Sequence, residues 1–598
     1  MQTEFFSFAF LKKSITLNFM NYLSNITSRL TVILIFLMSC VMGNARQTVV
    51  TNASAINNGT WTAGDTIVMK NGTWINQSIS FKATGNASQP VVLMAETPGK
   101  VILNGTSKFQ FSGKYIVVSG LYFKDGILSG SDVISFRTSS SQLAENCRLT
   151  NTVIENYNPS DNAIDSKWIS IYGKNNKVDH CSFVNKTNSG TLMVVWLTNG
   201  VTVNHEISDN YFGYRNPNLD ANGNELNGQE IIRIGDSSTS MTTAGVIVSG
   251  NFFEHCNGEI ETISNKSCGN IYTNNLFLEC KGTLTLRHGN NCTVAGNYFF
   301  GNGISNTGGV RIIGENHKVY NNYFENLRGT NYRAALCIVR GKENSALNEY
   351  FQVKNATIAF NTFVNCSQSF RINYNSSSSF TMPPVETVIA HNHVYNTSSS
   401  YYNVSIDLTN ITEMDVTWKN NLMNIGRYTN FPYDETQVIT GKDAKMNLAD
   451  TPIPIYEPST GSELTNYTTS DYPEITKDIR GRERNSMTKL PGASEITGIV
   501  TQSMPIKTLV GATFYNNPDT KIVKICDLKP YNFQLNELHI IFNPSETGYF
   551  YVIDLSGKIL FNTLVYAGTS FTTKILEKGI YILLFKTPTS QYVEKIVI

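Results

Sequence analysis

The chain has 598 residues, 47 Lys and Arg against 46 Asp and Glu, and a formal net charge of +1. It is long enough for more than one domain, and its balance excludes a global field for polyanions, nucleic acid included, so any attraction for one must be local. Its 10 cysteines include no Cys-x-x-Cys; they lack the spacing of a disulfide mini-domain or a zinc site and read as buried, mostly reduced residues, with at most one incidental disulfide.

Residues 1–45 read as a signal peptide, starting at Met1 or at Met20. The apolar run TVILIFLMSCVM (31–42) is too short for a comfortable membrane span; Arg29 precedes it, and Gly43-Asn44-Ala45 offers a small-x-small cleavage site. Leu37-Met38-Ser39-Cys40 is a loose lipoprotein box whose Met before Ser is atypical, so lipid anchoring is the lesser expectation. The mature protein is expected to be secreted or held at the cell surface, with no stable membrane span.

From residue 46 to 496 an internal repeat dominates. Asn followed by an aromatic or aliphatic residue and Phe recurs at 210–212, 251–253, 275–277, 297–299 and 322–324, and weakens at 361–363, 392–394 and 421–423. The period is nearly constant from Asn251 through Asn275 and Asn297 to Asn322, then widens at Asn361, Asn392 and Asn421, which implies loops inserted into a coil. Short β-branched and aromatic strands broken by Asn and Gly at such a period predict an all-β, right-handed parallel β-helix. Asn side chains should then stack as a hydrogen-bonded ladder and Phe should stack in the core. Cys256 and Cys280, like Cys268 and Cys292, are separated by the same interval as Asn251 and Asn275 and should be stacked neighbours.

The segments NGEIETISNKS (257–267) and TLRHG (285–289) carry the candidate chemistry. Glu259 and Glu261, two apart on an extended segment, are expected to share a face. Lys266 and Arg287 are separated by one coil of the repeat, so all four converge. The two carboxylates suit a hard cation such as calcium, and a cation facing a Lys/Arg pair suits a substrate that carries a carboxylate. Neutralising that carboxylate acidifies the adjacent C–H bond, so the chemistry suggested is β-elimination at a uronic acid. In most proteins such a pair of glutamates is a solvated face with ordinary ion-pair partners; the coil register is what argues against that here.

The order Glu-x-Glu-x-x-x-x-Lys followed by Arg-His-Gly resembles polysaccharide lyase family six, the alginate lyases and chondroitinase B, over roughly residues 47–496. The resemblance implies Glu259 and Glu261 as calcium ligands with Asn227 of NGQEIIRIG (227–235) as a third. It implies Lys266 as base and Arg287 as acid or charge stabiliser, with Arg233, His288 and Arg311 of GGVRIIGENH (308–317) contacting substrate. DIRGRER (478–484) and Pro491-Gly492-Ala493 resemble the closing segment of β-helix lyases. VRIIGENHKVYNNYFENLRGTNYRAAL (310–336) looks like the alginate-cleaving branch, which implies an alginate lyase of the poly(β-D-mannuronate) lyase type. A dermatan sulfate lyase and a non-catalytic glycan-binding β-helix are the alternatives. A pectin-type hydrolase would need clustered aspartates.

Residues 497–525 read as a linker. Residues 526–598 alternate polar and apolar between Gly turns, as in a small antiparallel sandwich. Asn543-Pro544-Ser545, Gly548, Phe550, Gly557-Lys558, Gly579-Ile580-Tyr581 and Lys595-Ile596-Val597 resemble the C-terminal sorting domain of type IX secretion in Bacteroidetes. That resemblance implies the type IX machinery as a partner, beside an anionic polysaccharide substrate.

Overall fold

The computed structural model describes residues 45–516 apart from positions 129, 221, 376 and 410–412, and then 531–536, 539–544, 546–554, 559–573, 580–587 and 591–597. The expected signal peptide and lipoprotein box lie outside the described residues, as do Ser545, Gly557, Lys558 and Gly579. The chain forms two compact units, Met1–Pro518 and Asp519–Ile598.

In the first unit, successive coils each supply short strands that pair in parallel with their counterparts one coil on. The result is three long sheets of 14, 14 and 15 strands, a parallel β-helix; Met446–Leu448 and Tyr456–Pro458 form a separate antiparallel pair. A short helix, Ala53–Asn57, buries Ala53 and Ile56 at the N-terminal end; Asn52 caps it by accepting from the Ala55 N–H.

The repeated Asn and Phe carry out the coiling. Asn210, Asn251, Asn275, Asn297, Asn322, Asn361, Asn392 and Asn421 form one buried ladder. The backbone N–H and side-chain amide of each donate to the side-chain oxygen of the next, at 2.9–3.1 Å. A buried amide is tolerated only when its groups are paired, and here each Asn satisfies a neighbouring turn. Beside the ladder, Phe183, Phe212, Phe253, Phe277, Phe299, Phe324 and Phe363 stack with centroids 4.6–5.2 Å apart, close to the spacing of paired strands. Asn297→Ala removes the acceptor of both Asn275 donors and one of the two donors to Asn322. It should cost about 3 kcal/mol, at roughly 1–3 kcal/mol per orphaned buried group. A chemical-denaturation midpoint equal to the wild type's would refute the ladder's energetic role.

The eight described cysteines are all free and buried. Cys256 and Cys280 are stacked neighbours, and burial, then the adjacent Cys280, push the Cys256 thiol up.

Residues 497–516 are not a linker in this fold. Met504, Val510 and Ala512 are buried, and Met504 and Val510 join Ile455, Ile479 and Ala493 in covering Tyr211, Phe252, Leu276, Tyr298 and Tyr323 on the outer face of one sheet. The segment runs back over the coils: Lys507 meets Tyr211 and Glu254, the Ala512 N–H donates to Ser182, and Tyr515 donates to Glu155. Its apolar residues have no regular period, which is why they looked like a linker. DIRGRER forms an ion-pair network, with Arg482 on Asp478 and Glu457, Arg480 on Glu457 and Arg484 on Glu495, and its Ile479 joins the cluster on that outer face.

The second unit holds two small antiparallel sheets, Tyr531–Asn536 with His539–Pro544 and Phe571–Thr573, and Ile559–Val565 with Gly548–Asp554, Ile580–Lys586 and Gln591–Val597. Phe542, Phe550, Val552, Leu583 and Phe585 form their shared core.

Candidate active site

The site lies on the sheet that contains Ile232–Ile234, Glu261–Lys266, Thr283–His288, Val310–Ile312, Leu336–Val339 and Gln368–Tyr374. Parallel register sets Arg233, Ser264, Thr285, Arg311, Cys337 and Arg371 in one row across it. Asn265 pairs with Leu286, but Lys266 pairs with His288, so Arg287 is the extra residue of a β-bulge. A bulge re-aims the side chain it carries; Arg287 and Lys266 thus stand on adjacent coils as their spacing predicted.

Glu259 sits in a bend just before the strand rather than on it, so the period-two argument for the pair does not apply, yet the two converge. Glu230, Glu259 and Glu261 are all buried, with an oxygen from each lying within 4.8 Å of the others. Glu230 and Asn227 come from an insertion between Tyr211–Arg215 and Ile232–Ile234. The Gly228 N–H bonds Glu259 Oε2 and Asn227 Oδ1, each at 2.9 Å, which puts the exposed Asn227 beside the cluster. Thr191 donates to Glu230 Oε2 at 2.6 Å, while Glu259 Oε1 is buried with no partner. Burial foremost, then the charges of Glu230 and Glu261, push the Glu259 carboxyl up to about 8. Glu230 was missed in the sequence; the signal available was the carboxylate that closes NGQE, just after Asn227.

Cations ring these acids. Lys266 Nζ lies 3.9 Å from Glu230 Oε1, and Arg287 Nε lies 3.8 Å from Glu261 Oε1. Arg311, expected to meet substrate, is buried with its guanidinium on Glu261. Arg215 is buried behind the cluster and donates to the Glu230 and Gly190 carbonyls. Arg287 is held from outside by the loop inserted after Leu336–Val339: it donates to the Glu349 and Asn348 carbonyls and lies 4.2 Å from the Tyr350 ring centroid. It also donates to His288 Nε2 at 2.9 Å. Burial, then Arg287 and Lys266, lower the His288 pKa to about 3, so its ring stays neutral and accepting. Arg233 is half-buried over the Trp196 ring and its Nε has no partner.

A family model described as Chondroitinase B matches residues 49–468. The chain belongs to polysaccharide lyase family 6. Among solved structures it is similar to the family-6 alginate lyase AlyGC, with 34% identity and a TM-score of 0.61 over 69% of this chain and 55% of that one. It therefore spans little more than half the length of AlyGC. A mannuronic acid specific family-6 lyase from human gut microbiota is 28% identical, TM-score 0.58, over 66% of this chain and 91% of that one. A family-6 lyase from Pseudopedobacter saltans is 28% identical, TM-score 0.55, over 66% and 99%. No curated protein matches. Among the described residues no helix is long and apolar enough to cross a membrane.

Proposed function

We propose that this protein is a secreted, calcium-assisted lyase that cleaves alginate by β-elimination. The observation that carries this reading is Lys266 and Arg287 on adjacent coils, facing the buried cluster of Glu230, Glu259 and Glu261. Three buried carboxylates around an unpartnered oxygen fit a hard, oxygen-seeking cation. Glu230, Glu259 and Glu261 would hold it, with Asn227 Oδ1 beside them. When bound, the ion supplies positive charge that neutralises a uronate carboxylate and so acidifies the C5 proton.

Lys266 is assigned as the base that takes the C5 proton. As the C5–H electron pair forms the C4=C5 double bond, the C4–O bond breaks and its electrons leave with the glycosidic oxygen. Arg287, pinned by Glu349 and Asn348, stabilises that developing charge; because a guanidinium is a poor proton donor, the departing oxygen takes its proton from solvent water and leaves as a hydroxyl. His288 fixes the Arg287 fork through its neutral ring. Arg233, whose guanidinium lies 5.4 Å from the Trp196 ring centroid, is assigned to meet a neighbouring carboxylate.

Alginate is preferred because the 310–336 segment resembles the alginate-cleaving branch and because AlyGC is an alginate lyase. Export rests on the N-terminal sequence, and delivery by type IX secretion rests on the C-terminal motifs and on the antiparallel sheets there. The test is ultraviolet absorbance of unsaturated uronate during incubation with alginate, dermatan sulfate and polygalacturonate, calcium supplied. Alginate should give the signal; a signal on dermatan sulfate alone would transfer the reading to a chondroitinase B type of lyase. Silence on all three from folded protein would reject lyase action.

A further inference from the structure

On the N-terminal side of the site the same sheet carries a column of rings and cations. Ile171, Val195, Ile234 and Asn265 are paired neighbours, so Tyr172, Trp196, Gly235 and Lys266, the residues that follow them, form one row over four coils. The Tyr172 and Trp196 rings are stacked, with centroids 5.9 Å apart and planes within 7°. The Arg137 guanidinium lies 3.8 Å from the Tyr172 centroid on one side, and that of Arg233 lies 5.4 Å from the Trp196 centroid on the other. Trp196 Nε1 donates to Ser170 Oγ at 3.1 Å, which fixes the ring.

Both guanidiniums are held by ring faces and neither has a hydrogen bond or ion pair. Among the described residues every other arginine has at least one. Asp132 feels the charge of Arg137 but forms no ion pair with it. Arg137, Tyr172 and Trp196 line an open cavity of about 440 Å³ together with Lys174, whose ammonium also lacks an ion pair, and Glu145, whose carboxylate is already paired with Lys114 at 3.0 Å. The ring faces orient the cations and leave their N–H groups for a ligand. A planar fork without a carboxylate is built to receive one.

We propose that this cavity is a distal subsite that binds the carboxylate of a further uronate unit, through Arg137 and Lys174, on the chain whose reacting unit lies at Lys266. The row is three strand spacings long, roughly 14 Å at about 4.8 Å each. One pyranose unit of a 1,4-linked chain is about one strand spacing in length, so a substrate reaching Arg137 extends several units beyond the bond that breaks. Arg233 lies between the two ends and guides the chain across. The inference rests on the reading of the site as one for uronate polymers.

The test uses the Lys266→Ala protein, which should not consume its ligand, and calorimetric titration with alginate-derived oligomers of three and of six units in calcium. The six-unit chain should bind about tenfold more tightly than the three-unit chain, and Arg137→Ala or Arg137→Gln in that background should abolish the difference. Thermal unfolding reports whether each variant is folded, and the Gln variant keeps the side-chain stem over Tyr172. A length advantage that survives both folded variants, or no length advantage at all, overturns the subsite. The lyase reading fails separately, by silence of wild-type protein in the absorbance assay, and Arg137-dependent binding would then still establish a uronate-binding surface.

Discussion

Lys266→Ala should lower kcat on alginate by about a thousandfold, within the roughly 10²–10⁴ that a positioned base contributes, and leave the fold intact. Lys266 ends the strand Glu261–Lys266, where its backbone closes the bulge opposite His288; Ala keeps that backbone and removes only a half-buried side chain. The ammonium makes one long contact, 3.9 Å to Glu230, and Glu230 keeps its bond from Thr191. Stability should therefore change by no more than about 0.5 kcal/mol, as for substitutions that remove no core contact. Lys266→Arg is the sharper variant, because it keeps the positive charge but puts a guanidinium, which is almost never deprotonated, in place of the amine. Arg at 266 with near-wild-type kcat would show that charge, not proton transfer, is what position 266 supplies, and the base would have to be sought elsewhere.

What could be read from the sequence was what repeats. The Asn and Phe positions recur because each coil must solve the same turn and the same core, so their period exposes the β-helix. Register then follows, and it brings Lys266 beside Arg287 without any knowledge of side-chain conformation. Glu230 and the Arg287 contacts with Asn348 and Glu349 were not legible, because they come from insertions whose path no period constrains. The bulge at Arg287 was hidden as well, since a separation of one coil suits a regular pair as readily as an extra residue. The covering segment 497–516 escaped for a related reason. It is shaped by the sheet beneath it, and its scattered apolar residues make sense only against Tyr211, Phe252 and Tyr298.

Chelation should inactivate the enzyme and calcium should restore it, and the pH dependence of stability should report the same ion. Without the ion, Glu259 is pushed up to about 8 from an ordinary 4.5, by burial first and then by Glu230 and Glu261. A carboxyl raised in the folded state binds its proton more tightly there than in the unfolded chain. Between pH 4.5 and about 8 the native state therefore holds more protons, and stability falls as pH rises through that window. At about 1.4 kcal/mol per unit the loss reaches a few kcal/mol. The cation competes with that proton, so its affinity should climb over the same range, and at a hundred times Kd it should return about 2.7 kcal/mol. Chelated protein should thus show a Tm that declines from pH 5 to 8, and calcium should raise Tm most at the alkaline end. Glu259→Gln should flatten the decline in chelator and blunt the calcium response together, because one carboxylate causes both. A chelated protein with a level Tm, indifferent to calcium across the range, would make the cluster an ordinary set of partners for Arg287, Arg311 and Lys266.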